Sequence, residues 1–203
     1  MIDAALTKSK ITLIFYIFSV QNYLIVNVIL RGFKMISKNI QTALNKQLNA
    51  EFYSSYFYLS MSAYFEANDL QGFAKWFRMQ ADEEYAHAMK IFDYVYQVGG
   101  EVALQKIDGP KTKWNSFLEV FKDTFAHEQK VTKSINAIVD LAQKEKDHAT
   151  VNFLQWFVSE QVEEEATAQQ NVKRMEMIGD SKSGLFMLDN ELGSRTIQQP
   201  TAE

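Results

Sequence analysis

The chain has 203 residues, 21 Lys and Arg against 25 Asp and Glu, no Cys and two Pro. That length suffices for one domain with a sizeable core. A net charge of -4 argues against nucleic-acid binding by bulk electrostatics. Zero Cys excludes disulfides, thiolate metal sites and cysteine nucleophiles, so any metal must be held by carboxylate, imidazole or amide.

Residues 1–34 differ in character from the rest. Ile11 to Leu30 is an uncharged run of twenty, flanked by Lys8, Lys10, Arg31 and Lys34. At about 1.5 Å rise per residue it would span a bilayer core of about 30 Å. Gln21, Asn22 and Asn27 weaken that reading. A secretory signal fits less well, because its apolar region is usually shorter and no small-x-small cleavage site follows. Ile, Phe, Tyr, Asn and Lys are what AT-rich codons encode, and Met35 opens a sequence of different composition. The extension is therefore expected to be upstream DNA translated from a start codon set too early, with a membrane anchor as the alternative. Removing its four bases and one acid leaves 17 Lys and Arg against 24 Asp and Glu over 169 residues, a balance of -7 that suits a protein gathering cations.

From Met35 onward, apolar residues recur at alternating steps of three and four, which predicts helices with one buried stripe. The first spans about Ser37 to Ala67, through Leu44, Leu48, Ser55 and Tyr58. The second spans about Leu70 to Val98, with Gly99-Gly100 as its terminator. Ser116 to Glu119 reads as a capping box opening a third helix that runs to about Lys146. The fourth covers His148 to Ile178 and ends at Gly179, and a short fifth is expected at about Ser183 to Leu192. The links near Asn68-Asp69 and Asp147 are too short for anything but antiparallel neighbours. Gly99 to Ser116 is different: about sixteen extended residues reach about 50 Å, enough to run the length of a 28-residue helix of about 42 Å. Helices two and three should then be parallel, in an all-α bundle with one long crossover.

Each stripe carries an acid near its middle. Glu51 lies on the first, Glu84 and His87 on the second, Glu128 on the third, and Gln161 and Glu164 on the fourth. A lone carboxylate in an apolar core costs several kcal/mol, of the order of magnitude given by measured transfer and ion-burial penalties, and four close together repel one another. No Lys or Arg lies on the same stripes, so divalent cations are the expected counter-charge, and oxygen ligands with one imidazole suit iron. Glu84 and His87, at i and i+3, lie one above the other on a helix face and can reach one metal together. Any single one of these residues is more often a satisfied buried polar group or a misplaced helical register; four at matching depth are not. Glu83, Glu160 and Glu163 sit one position beside the inner acids. Alone they would be a solvated helix flank, but beside a metal cluster they could form an additional, wetter cation site.

With these residues in place, the chain from Met35 to about Arg195 resembles the bacterial non-haem ferritins. The matching stretches are NAEFYSSYFYLSMS, ADEEYAHAMKIFDYV, HEQKVT and NFLQWFVSEQVEEEA. The resemblance implies a ferritin-like four-helix bundle at residues 35–195, with one long crossover and a short C-terminal fifth helix, followed by a flexible tail at 196–203. It implies a ferroxidase centre in which one iron is held by Glu51, Glu84 and His87 and a second by Glu84, Glu128 and Glu164, Glu84 bridging the two. The family's additional iron site would fall on Glu83, Glu160, Glu163 and Glu164. Gln161 matches the amide that ferritins place beside the centre, and Tyr58 the tyrosine close to it. A cytoplasmic shell, a 24-mer of this one chain, would take Fe(II), oxidise it with dioxygen or peroxide, and store hydrated ferric oxide. Neither nucleic acid nor a membrane is expected as a partner.

Single residues separate the relatives of this family. A symmetrical di-iron site would need a second Glu-x-x-His, but the fourth helix reads Gln161-x-x-Glu164. The bacterioferritins' haem-ligating Met after the bridging Glu is replaced by Tyr85, so haem is not expected. Trp156 and Tyr85 read as packing residues more readily than as electron relays. The competing functions are a di-iron oxidoreductase acting on an organic substrate, which would need electron-delivery machinery that a Cys-free chain does not supply, and a purely structural bundle whose acids face water.

Overall fold

The computed structural model describes residues 36–195; the extension at 1–34 and the tail at 196–203 lie outside the described residues. Five helices follow one another: α1 Lys38–Glu66, α2 Gln71–Gln97, α3 Phe117–Lys144, α4 His148–Ile178 and α5 Lys182–Gly193. Four of their starts are set by side chains that accept from the first turn, namely Ser37 from Ile40 N, Ser116 from Glu119 N, Asp147 from Thr150 N and Ser181 from Gly184 N, satisfying donors that a helix N-terminus leaves unpaired; α2 starts after Leu70 with no side-chain cap. The Glu119 carboxylate reaches back to Asn115 N at 2.7 Å, one residue earlier than an ideal capping box. Gly99 and Gly179 end α2 and α4 with φ of 73° and 53°, a region that favours glycine.

Directions follow from which residues meet. Along α1, Gln47, Ser54 and Met61 contact Ser134, His127 and Thr124 of α3 in turn. One numbering rises as the other falls, so α1 and α3 are antiparallel. Along α2, Gln80, His87 and Tyr94 meet Glu164, Trp156 and Phe153 of α4, also antiparallel. With the α1–α2 and α3–α4 hairpins, this makes α2 parallel to α3, as the long connection required. That connection lies along α1: Ala103 N donates to Asn45 Oδ1 at 2.7 Å, Ser60 Oγ to Lys111 O at 2.7 Å, and Tyr64 packs on Trp114. It thus covers α1 from Asn45 to Tyr64, about 28 Å of helix.

The interior consists of two apolar half-cores. Ile40, Leu44, Leu48, Ala88, Ile91, Ile135, Leu154 and Phe157 belong to one. Tyr58, Met61, Phe65, Phe73, Phe77 and Phe121 belong to the other, where rings meet at centroid separations of 5.1–6.1 Å, the range of favourable aromatic contact. On every long helix the acids fall between the residues that build the two halves. Among the described residues, no helix is long and apolar enough to cross a membrane.

Candidate metal centre

The layer between the half-cores is polar and dry. Glu51, Glu84, His87 and Glu128 are 1%, 2%, 6% and 0% exposed, so these carboxylates do not face water. Glu51 comes from the middle of α1, Glu84 and His87 from successive turns of α2. One ligand atom from each of these three lies within 4.8 Å of the others. His87 Nδ1 stands 3.5 Å from Glu84 Oε2. Glu51 Oε2 and Glu84 Oε2 are fully buried and find no hydrogen-bond partner among the described residues. An orphaned buried carboxylate oxygen is costly, and two beside an imidazole make a donor set that fits a divalent cation such as iron.

The other carboxylates stand differently. Both oxygens of Glu128 are engaged: the Tyr58 hydroxyl donates to Oε1, and Gln161 Nε2 donates to Oε2 at 3.1 Å. Glu164 is only partly buried, and its Oε2 accepts from Gln80 Nε2 at 3.1 Å. Of the residues expected in the inner set, Glu51, Glu84 and His87 converge, and Glu128 and Glu164 are tied to amide and hydroxyl donors.

Electrostatics reflect the crowding. Burial, followed by the charge of Glu84, holds the Glu51 carboxyl well above the usual carboxylate range. Burial and the charge of Glu128 do the same to Glu84. Burial raises Glu128 while the hydrogen bonds from Tyr58 and Gln161 draw it partly back. Glu164 is pushed up to about 7 by burial and the charges of Glu128 and Glu83. Tyr58 is itself pushed well above its ordinary value by burial and Glu128, so it remains a hydroxyl and a donor. Without a cation, such a cluster relieves its repulsion by taking up protons.

Comparison with known proteins agrees with this geometry. The ferritin-like domain family model matches residues 41–178. A bacterial non-heme ferritin of Bacteroides fragilis is 48% identical over 161 residues, 79% of this chain and 100% of that one. One from Staphylococcus aureus is 39% identical over 165 residues, 81% and 99% of the two chains. Among solved structures, the open pore ferritin from the hyperthermophilic archaeon Archaeoglobus fulgidus superposes with a TM-score of 0.79 at 49% identity, over 79% of this chain and 99% of that one. The chain belongs to the ferritin family.

In this ferritin the outer acids are less buried than the inner ones. Glu83 and Glu160 are half-buried and Glu163 is exposed. No Lys or Arg lies on the stripes themselves, but Arg195 reaches the outer acids from elsewhere: its guanidinium donates to both oxygens of Glu83, at 2.9 and 3.1 Å, and to Gln80 Oε1. The helical stripes missed it because it lies beyond the last helix, carried in by α5. Gln47 and Gln80 were missed as well. Each is 1% exposed and sits four residues before a ligand-type Glu. Gln47 Nε2 donates to Glu51 Oε1 at 2.8 Å, and its own oxygen accepts from Ser134, which fixes the amide with its donor side toward Glu51. A Gln at i-4 from a buried Glu on two successive helices was the available signal. Trp156 packs edge-on to His87 with ring centroids 5.2 Å apart, with Lys90 Nζ 3.5 Å from its ring centre, and Tyr85 is 54% exposed.

Proposed function

We propose that this ferritin is a cytoplasmic iron-storage subunit. It would oxidise Fe(II) with dioxygen or peroxide and store hydrated ferric oxide inside a homo-oligomeric shell of 24 copies. The observation that carries the reading is the buried Glu51, Glu84 and His87 set, with two carboxylate oxygens left without partners. Such a set is a cost to folding unless a cation occupies it.

Glu51, Glu84 and His87 would take one Fe(II), and Glu84, Glu128 and Glu164 the second. Gln47 holds one oxygen of Glu51 and so turns the other inward. Tyr58 and Gln161 hold Glu128 by both of its oxygens. The displaced carboxyl protons leave as the ions enter. Two Fe(II) side by side give two electrons to one O2, which with two protons leaves as hydrogen peroxide, and the hard oxygen ligands favour the Fe(III) product. The outer acids Glu83, Glu160, Glu163 and Glu164 would hold a further iron on its way between the centre and the store.

Glu84→Ala and His87→Ala should each slow the fast phase of Fe(II) oxidation, followed by stopped-flow absorbance, by at least about tenfold. The shell should still elute at its full size, because these side chains are not what the half-cores rest on. A wild-type oxidation rate in Glu84→Ala would defeat the assignment. Iron per particle separates storage from simple catalysis, since a store accumulates far more than the few ions the side chains can ligate.

A further inference from the structure

The contact between Arg195 and the outer acids is built by the fold and not left to a loose terminus. α5 lies across the start of α2, with Leu188 and Leu192 buried beneath it. Asp189 Oδ1 accepts from Phe73 N at 2.8 Å and Gly193 O from Lys75 Nζ at 2.7 Å. The two backbones touch: a Cβ on Gly72 would fall 1.8 Å from Asp189 O, and one on Gly193 2.7 Å from the Gly72 Cα. This dock delivers Arg195 two residues later, with its guanidinium carbon 5.9 Å from the Trp76 ring. There it grips Glu83 with both carboxylate oxygens engaged and bonds Gln80, whose amide in turn donates to Glu164.

We infer that Arg195 is the resident counter-ion of the outer acid site, and that a metal cation settles there only by displacing its guanidinium. The inference rests on the outer site proposed above and gives it a regulator. Two features make displacement feasible. Arg195 and Glu83 are both partly solvated, with side chains 35% and 25% exposed, and water weakens such an ion pair relative to a dry one. A multivalent cation shared by several carboxylates, by contrast, replaces one fork of hydrogen bonds with direct coordination. The route to the inner centre is also specific: release of Arg195 frees Gln80 Oε1, and Gln80 is the donor that holds Glu164. The latch therefore joins occupancy of the outer site to the freedom of an inner ligand.

Zinc(II) alone, titrated by equilibrium dialysis into the full-length assembled shell, reads the latch directly without turnover. The ions beyond the inner pair form the weaker class. In Arg195→Ala that class should tighten about tenfold, within the range usual for coupled sites, while Arg195→Lys, which keeps the charge but loses the fork, should fall between the two. Elution of each variant at the wild-type volume shows that the shell has formed. Unchanged affinity of the weaker class in Arg195→Ala overturns the latch. Glu160→Gln separates the two ways of failing. If it abolishes a weaker class that ignores Arg195, the outer site stands and the latch falls; if it leaves that class untouched, both fall.

Discussion

Glu164→Gln tests whether the buried acids burden the fold. In the metal-free protein the Glu164 carboxyl titrates at about 7 against an ordinary 4.5, a gap of 2.5 that corresponds to about 3 kcal/mol at about 1.4 kcal/mol per pH unit. A raised value means that the folded state binds the proton more tightly than the unfolded one. Its contribution to stability is complete below pH 4.5 and is lost as pH climbs through 7. Glutamine never ionises and can still accept the Gln80 hydrogen bond. The variant should therefore exceed the wild type in stability by under about 1 kcal/mol at pH 5 and by about 3 kcal/mol at pH 8. For a chain of this size that is about 6–12 °C in melting temperature at pH 8. The assay is thermal unfolding of chelator-treated protein at one protein concentration and one scan rate, because an assembled shell unfolds with a concentration-dependent midpoint. Zinc should reverse the order, since the wild type gains a ligand that the variant lacks. Equal melting temperatures at pH 8, or a less stable variant there, would refute the view that ionised carboxylates in this layer cost stability.

Two further outcomes follow from the supports of the centre. Gln47→Leu removes the donor to Glu51 and leaves the Ser134 hydroxyl without its acceptor. Because that hydrogen bond lowers the Glu51 value, its loss makes the carboxyl harder to ionise. Zinc affinity at pH 7, measured by competition with a chromophoric chelator, should fall about tenfold, with a stability loss of about 1–3 kcal/mol. Gly72→Ala places a methyl inside the Asp189 carbonyl, so α5 must lift from α2. Overpacking of this kind costs about 1–3 kcal/mol, and limited proteolysis should cut the Gly179–Arg195 segment faster than in the wild type.

The helices and their order were legible because every long stripe has the helical period and every break carries a Ser, Asp or Gly that ends or begins a turn. The crossover was legible from length alone, since the 99–116 stretch is long enough to return the chain to the other end of the bundle. Glu51, Glu84, His87 and Glu128 stood out because a charged residue on an apolar stripe is rare. What stayed hidden was polar but uncharged, or distant. Gln47 and Gln80 are neutral amides that a wheel passes over, although they settle which oxygen each carboxylate presents. Arg195 is brought to Glu83 by the packing of α5, and a contact 112 residues apart in sequence leaves no periodic trace. Glu164 was placed with the core residues, and it is half-buried, accepting from Gln80 and standing close enough to Glu128 and Glu83 to feel both charges.

The division of the interior into two apolar halves explains how such a layer survives. Hydrophobic burial accumulates over the many residues at either end, and the rings of Phe65, Phe73, Phe77 and Phe121 interlock without help from the acids. The polar level between them can then remain frustrated. Its hydrogen bonds are not distributed evenly. Glu51 and Glu84 each keep one oxygen without a hydrogen-bond partner among the described residues, that of Glu84 beside His87, whereas Glu128 has both of its oxygens engaged by Tyr58 and Gln161. The oxygens beside His87 can be offered to a cation without disturbing any hydrogen bond, whereas each oxygen of Glu128 already carries one donor. The carboxylates of this layer are therefore unequal before any ion enters, and the inequality is set by the neutral side chains of Gln47, Tyr58 and Gln161.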